Sequence, residues 1–344
     1  MEALGVGALE RLAQLEDDAW VEAFQLLLAL VLDGRTAEGA AEQTAKVLPD
    51  LPTERIRLLA DATDWPGLET HREPVQQATA RELQRRSLID FVREVSEAPG
   101  GYRPDACHYR LCAALERFSR AVAAKNRRGL VVVMPPRHGK TEIVSRCWPV
   151  WHLAQHDHHE FVCGSYGQEL ADDNSRDARS IARSEEGLQI FPSLRPRVRK
   201  KRYYADYARA DVDRVNHWRV GTGGSYKSVG VGGALTGRGA HILAVDDPFK
   251  DRAEADSPTQ RKRVWKWYTS TAYTRLAPGG GIIQMATRWH EEDLIGMVLE
   301  AQGRGAGDDW EVIHLPAIAD GDELVDEDLE GYVADLVEDE LYEL

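Results

Sequence analysis

The chain has 344 residues, 43% of them hydrophobic, which is enough for a sizeable core and, by length, about two domains. Its net charge of −14 is unevenly spread: residues 320–344 hold twelve Asp and Glu and no Lys or Arg, and without them 45 acidic residues face 43 basic ones. The near-neutral body leaves nucleic acid open as a partner, while the absence of any apolar run near the roughly 18 residues of a membrane span argues against a bilayer.

The longest apolar run is only Leu26 to Leu32, and the N-terminus, Met1-Glu2-Ala3-Leu4, lacks the basic-then-apolar order of a leader. The four cysteines (Cys107, Cys112, Cys147, Cys163) have no C-x-x-C spacing. They are expected as reduced thiols of a cytosolic protein rather than as a metal site or a disulfide framework.

Residues 1–97 read as a helical N-terminal domain. Ala8 to Leu15, Trp20 to Leu32, Thr36 to Leu48 and Arg55 to Ala62 carry apolar residues at three- and four-residue spacing. Asp50-Leu-Pro52 and Trp65-Pro-Gly67 are breaks. Glu73 to Glu97 is predicted as one longer helix, with Pro74 tolerated in its first turn. Nothing in this region carries recognisable chemistry, and scaffold is its simplest reading.

Pro99-Gly-Gly-Tyr-Arg-Pro104 marks a boundary. Asp105 should cap a helix running to Lys125. Then comes Leu130-Val-Val-Val-Met-Pro-Pro-Arg-His-Gly-Lys-Thr141, an apolar and mostly β-branched run that ends in Gly-Lys-Thr. A helix-like stretch, Glu142 to Leu153, follows. Strand, Gly-Lys-Thr loop and helix make a P-loop, whose backbone N–H groups cradle phosphate. The nucleotide-binding set is then Pro136, Arg137, His138, Gly139, Lys140, Thr141 and Glu142, with Lys140 on the β- and γ-phosphates and Thr141 on Mg²⁺. The loop departs from G-x-x-x-x-G-K-[ST] at Met134, and Pro135 and Pro136 remove two donors. Pro149 should kink or end the following helix. His108 and Tyr109, ahead of the P-loop strand, are candidates to contact adenine.

Glu160 to Ser165 reads as a second strand and Gln168 to Glu186 as a polar helix. Arg195-Pro-Arg-Val-Arg-Lys-Lys-Arg202 has six basic residues in eight positions. Either it is solvated surface, or Arg199, Lys200, Lys201 and Arg202 contact a phosphate backbone. His217 to Gly221 resembles a short strand. Gly221 to Gly239, with eight glycines, reads as a mobile loop near a ligand. Ile242-Leu-Ala-Val-Asp246-Asp247-Pro248 has the Walker B form, in which Asp246 would hold Mg²⁺ and Asp247 would polarise the attacking water. Ser257 to Leu276 is helical and rich in Arg, Lys and Trp, and Pro278-Gly-Gly-Gly281 should break it. Gly281 to Ala286 is a strand ending in Thr287-Arg-Trp-His290, a candidate γ-phosphate sensor, and Trp310 to Leu315 is the last strand.

Four of these stretches, in this order, resemble the large terminase subunit of tailed bacteriophages: Met-Pro-Pro-Arg-His-Gly-Lys-Thr, Val-Gly-Val-Gly-Gly-Ala-Leu-Thr-Gly-Arg-Gly, Val-Asp-Asp-Pro and Ala-Thr-Arg-Trp-His-Glu-Glu-Asp-Leu. The resemblance spans roughly residues 100 to 318. It implies an ASCE-type P-loop NTPase, α/β with a mostly parallel central sheet, over residues 98–318, between the helical residues 1–97 and the acidic tail 319–344. It also implies an ATP-driven motor that threads double-stranded DNA into a procapsid in the host cytoplasm. A portal ring, a small terminase subunit and a ring of copies would be its partners.

Carried over by position, Lys140 and Thr141 hold phosphate and Mg²⁺, and Asp246 is the metal carboxylate. Asp247 stands where such motors often have a glutamate. Thr287 and Arg288 form the coupling motif, and Arg137 touches the γ-phosphate. Arg261, Arg263 and Arg275 are candidates for a finger reaching a neighbouring subunit. After Ile318 only 26 residues remain, so the nuclease that usually follows in this family is not expected from this chain. Two other classes fit the same motifs: a helicase-like nucleic-acid-stimulated ATPase, and a nucleotide-binding assembly protein without turnover.

Overall fold

The computed structural model describes residues 17–32, 35–62, 71–96, 101–156, 158–196, 213–221, 223–235 and 239–316. The acidic tail and the cluster Arg199, Lys200, Lys201 and Arg202 lie outside the described residues, as does the helix expected at Ala8 to Leu15. The chain divides into two compact units, Met1–Asp90 and Phe91–Leu344.

The first unit is helical: α1 (Asp17–Leu32), α2 (Ala37–Val47), α3 (Thr53–Asp61) and α4 (Arg72–Arg86). Trp20, Phe24, Leu28 and Leu32 recur every four residues on α1 and are buried with Val47, Ile56, Leu59, Val75 and Leu83. Thr36 caps α2 by accepting the N–H of Gly39. The single helix expected over Glu73 to Glu97 is instead two, α4 and α5 (Leu88–Val95). Ser87 is extended at φ −110° and ψ 118°. At that turn the Arg86 guanidinium satisfies the carbonyls of Leu48, Pro49 and Leu51. Three backbone acceptors filled by one side chain fix the end of α4 against a sequence whose apolar period runs on.

The second unit is built on an eight-stranded sheet. In chain order its elements are α6 (Ala106–Ala123), β1 (Gly129–Val133), α7 (Trp148–Gln155), β2 (Glu160–Ser165), α8 (Gln168–Arg183) and α9 (Glu185–Ile190). Next come β3 (Asp213–Arg214), β4 (His217–Arg219), β5 (Ser225–Gly230), β6 (Ala240–Asp246), α10 (Arg252–Asp256) and α11 (Pro258–Trp267). The unit closes with β7 (Leu276–Ala286), α12 (Leu294–Gly303) and β8 (Trp310–His314). The spatial order is β3-β4-β5-β2-β6-β7-β1-β8. Pairs from β5 through β8 are parallel, and β3 and β4 add an antiparallel edge. The expected α/β class with a mostly parallel sheet is met. The strand order, with β7 between β1 and β6, agrees with an ASCE arrangement. No helix among the described residues is long and apolar enough to cross a membrane.

Alternation along the strands supplies both faces of the core. Val162, Leu243, Val245 and Ile282 pack with Phe249, Val264, Trp267, Leu294 and Val298. Phe161, one residue along from Val162, faces the other way into an aromatic row with Trp148, Tyr226 and Trp218, at centroid spacings of 5.1, 5.8 and 5.2 Å.

Three local expectations are corrected. Within the Gly-rich segment, Ser225–Gly230 is a buried strand paired to β2, because Tyr226 and Val229 have core partners and the glycines mostly flank the run. Pro278-Gly-Gly-Gly281 does not break the chain but lies inside β7, where the register against β6 slips between Ala240 and Ile242. The polar helix after β2 ends at Arg183, because extended Ser184 caps a second helix by accepting the N–H of Gly187. Pro149 is tolerated as expected of a kink: residues Glu142–Cys147 form a wide π-type turn, and the proline sits in the first turn of α7, where no donor is needed.

Gly281 shows how closely α6 packs on the sheet. A Cβ there would lie 2.4 Å from Phe118 and 2.7 Å from Val122. Gly281→Ala is expected to destabilise the protein by about 1–3 kcal/mol, read as a lower denaturation midpoint. An unchanged midpoint would mean that α6 is free to move off β7.

Candidate functional site

The carboxyl ends of β1, β7 and β6 lie side by side, with Val133 opposite Ala286 and Asp246 opposite Met285. Loops leaving parallel strands at this edge converge by construction. Three of the sequence-predicted segments therefore meet: 134–141 after β1, Asp246-Asp247 at the end of β6, and Thr287 after β7.

Lys140 is at the junction and is 6% exposed. Its ammonium donates to Asp247 Oδ2 and, at 3.0 Å, to the Thr287 hydroxyl. Thr287 closes the circuit. Its N–H donates to Asp247 Oδ1 at 3.0 Å, and its hydroxyl donates to the Met134 carbonyl at 3.3 Å. Asp247 has φ +44°, a left-handed conformation uncommon for a residue with a side chain. It is held there from both sides: its N–H donates to the Met285 carbonyl, and its own carbonyl accepts the N–H of Tyr166. Such a backbone costs about 1–2 kcal/mol and persists where neighbours over-determine it.

Asp246 is 1% exposed. Ser145 donates to its Oδ2 at 2.7 Å, and its Oδ1 is buried with no hydrogen-bond partner. Burial, and then the neighbouring Asp247 charge, raise its carboxyl from the ordinary 3.8 to about 6, against the pull of Lys140 and of the Ser145 and Thr141 hydroxyls. A buried acceptor without a donor, on a carboxylate beside Thr141, has the chemistry of a site for a hard cation.

The loop itself offers donors. Among the described residues, the backbone N–H groups of His138, Gly139, Lys140 and Thr141 have no acceptor. Arg137 at φ +64° and Gly139 at φ +76° bend the chain so that it turns into the helix behind it. Gly139 also has no room for a side chain, since a Cβ would lie 2.9 Å from the Tyr102 hydroxyl. Arg137 and His138 are exposed. The His138 ring donates from Nδ1 to the Pro136 carbonyl at 2.9 Å.

His108 buttresses this loop. The Asp105 N–H donates to its Nδ1 at 2.7 Å, which puts the proton on Nε2, and Nε2 donates to the His138 carbonyl at 3.0 Å. The same residue completes a capping box at the start of α6. Both ring nitrogens are thus spent on backbone, and the Tyr102 ring stands edge-on to the imidazole at 5.6 Å. Tyr109, one residue on, is half-buried near the start of α6.

Glu142 accepts from Ser96 at 3.0 Å and from Arg146 at 3.2 Å. It borders a cavity of about 430 Å³ lined also by Ser96, Tyr102, Arg146, Asp177 and Ile181. The Tyr102 hydroxyl is buried without a partner.

Arg288 is not drawn into the junction. It donates to Asp293 Oδ2 at 2.7 Å and to the carbonyls of His290 and Glu291, bracing the cap of α12. Of the finger candidates, Arg261 is 6% exposed and donates to the Ala255 carbonyl and Glu292. A side chain spent in this way cannot reach a neighbouring subunit. Arg263 is exposed, and Arg275 is half-buried.

Ser145, Ser96 and Tyr102 were missed in the sequence. Ser145 had a usable signal, four residues after Thr141 and so on its helical face. Tyr102 lay in a Pro/Gly-rich stretch that reads as linker.

The raised Asp246 carboxyl carries a stability consequence. The folded protein holds this proton more tightly than the unfolded chain does. Stability from this group therefore falls as pH rises from 3.8 to about 6, and the cost is complete at neutral pH. Asp246→Asn, in chelator at neutral pH, is expected to raise folding stability by roughly 1–3 kcal/mol and to remove any stabilisation by added Mg²⁺. A lowered unfolding midpoint would contradict this account of the site.

The comparisons with known proteins can be set beside this geometry. A search of curated proteins finds no match. Among solved structures, one described as the crystal structure of the HK97 bacteriophage large terminase is 13% identical, with a TM-score of 0.43. That match covers 69% of this chain and 45% of the other, so this chain spans under half of that protein's length. Residues 131–341, more than half of the chain, match the family described as terminase large subunit, T4likevirus-type, N-terminal. With Lys140, Asp246, Asp247 and Thr287 all inside the matched residues, the chain belongs to the terminase large-subunit family.

Proposed function

We propose that this chain is an ATPase that drives double-stranded viral DNA into a procapsid. The observation that carries the reading is the convergence of Lys140, Asp247 and Thr287, with Asp246 beneath them, at one sheet edge. The four free N–H groups of 138–141 and the Lys140 ammonium bind the β- and γ-phosphates of ATP. Thr141 and the orphaned Oδ1 of Asp246 would hold Mg²⁺. When bound, Mg²⁺ supplies charge that stabilises the leaving phosphates. The cavity beside Glu142 and Tyr102 takes the base, with Pro136 and His138 at the phosphate end and His108 fixing the loop from behind.

In the structure described here Asp247 is an acceptor for Lys140. Incoming phosphate competes for that ammonium, and a released Asp247 carboxylate is then able to orient the attacking water. Thr287, bonded to both Lys140 and Asp247, senses the exchange and passes it into β7 and the Arg288-Asp293 cap of α12. Arg137, exposed in the loop, is positioned for the γ-phosphate, and Arg275 remains a candidate for a finger toward the next subunit of a ring. The partners of this reading are duplex DNA, a portal ring and a small terminase subunit, in the host cytoplasm.

Lys140→Ala should lower ATP turnover by at least about 10²-fold, and duplex DNA should stimulate the wild-type rate. Near-normal turnover in Lys140→Ala protein would remove the phosphate-binding assignment. Strand displacement on a forked duplex would favour a helicase-like enzyme instead.

A further inference from the structure

α11 (Pro258–Trp267) has two unlike faces. Arg261, Val264 and Trp267 point inward and are buried. Arg261 is tied to the Ala255 carbonyl and to Glu292, and the Trp267 indole N–H donates to the Gly233 carbonyl at 3.0 Å. The helix is therefore rigidly seated between the Gly-rich segment and the chain that follows Thr287.

The outward face carries Lys262, Arg263 and Lys266, all exposed. Lys262 and Lys266 are four residues apart, about 6 Å along the axis. α11 itself contains no acidic residue. Arg252, Arg261, Arg288 and Arg304, in the same part of the chain, sit in ion pairs, yet among the described residues Lys262, Arg263 and Lys266 have no acidic partner. Arg263 has only the Gln260 side chain, at 3.4 Å. The acids just upstream are otherwise engaged: Asp251 caps α10, Glu254 accepts the N–H of Lys250, and Asp256 pairs with Arg252.

A rigid helix that holds adjacent cations in water and leaves them unneutralised is organised for a polyanion. Duplex DNA presents about one charge per 1.7 Å of axis. The face has no aromatic side chain fully free to stack on unpaired bases, since Trp265 is half-buried and packs at 5.8 Å against Tyr268. That combination suits the sugar-phosphate backbone of a duplex more than a single strand.

We propose that the Lys262-Arg263-Lys266 face of α11 contacts the phosphate backbone of duplex DNA without reading its sequence. The inference rests on the DNA-motor reading above and specifies its track-contacting surface. Force on this face passes into the nucleotide site by two short routes: back through α10 to Asp246-Asp247, and through Arg261-Glu292 to the Thr287 segment.

The test uses the full chain and random-sequence duplex, with affinity measured between about 50 and 200 mM salt. The double variant Lys262→Ala/Lys266→Ala should bind more weakly on every sequence. The slope of log affinity against log salt should become shallower by about 1.8, two phosphates at roughly 0.9 each. Lys262→Arg/Lys266→Arg should restore it, and the thermal midpoint, as a check on folding, should not move. A wild-type slope in the alanine variant would overturn the assignment of this face while leaving the motor reading intact. Failure of wild-type protein to bind duplex even at low salt would overturn the motor reading and this inference with it.

Discussion

Lys140 is a buried ammonium shared among three strand ends. It comes from the loop after β1, and it is met by the carboxylate at the end of β6 and the hydroxyl after β7. A cation this buried is tolerated only when it is paired and hydrogen-bonded. That requirement sets the rest of the site: Asp247 is fixed by the Thr287 N–H, and Thr287 is fixed by the Met134 carbonyl. The sheet order makes the arrangement possible, because β7 lies between β1 and β6 and its terminal residue can bond to both neighbours. The register then brings the three termini level rather than staggered.

The same junction stores cost as well as stabilisation. Asp247 occupies a left-handed backbone conformation and Asp246 keeps an unsatisfied buried oxygen. Both features are unfavourable in a protein that only needs to fold, and a bound cation would satisfy the second of them. In the proposed reading the junction is balanced between an internal ion pair and an external anion. The partner it exchanges is coupled through Thr287 to the Arg288-Asp293 brace. α11 hangs from the same region by the Arg261-Glu292 pair, which in the proposed reading is the mechanical path from phosphate chemistry to the surface.

The strand-and-loop grammar was readable in advance. Apolar runs at 130–133, 160–165, 242–246 and 281–286 became strands, and polar residues at their carboxyl ends became the junction. Less legible were features set by distant partners. The break at Ser87 depends on Arg86 reaching carbonyls 35 or more residues away. Glycine content suggested a loop over 221–239, but core contacts of Tyr226 and Val229 make part of it a strand. Arg288 lay in the right motif for a phosphate sensor, yet its donors go to the cap of α12. Local sequence does not reveal that Asp293 would be close enough to take them. Helix periodicity likewise could not show that Arg261 turns inward while Lys262 and Lys266 turn out.

If Lys140 is truly divided between Asp247 and a phosphate, removing the internal competitor should favour the external one. The direct test is the affinity of Asp247→Asn protein for Mg·ATP, measured by titration calorimetry alongside turnover. The account predicts tighter binding together with a large loss of turnover, because the ammonium is freed while the water-orienting carboxylate is gone. Unchanged or weaker binding would show that the Lys140-Asp247 pair does not compete with nucleotide, and would contradict the central role given to it.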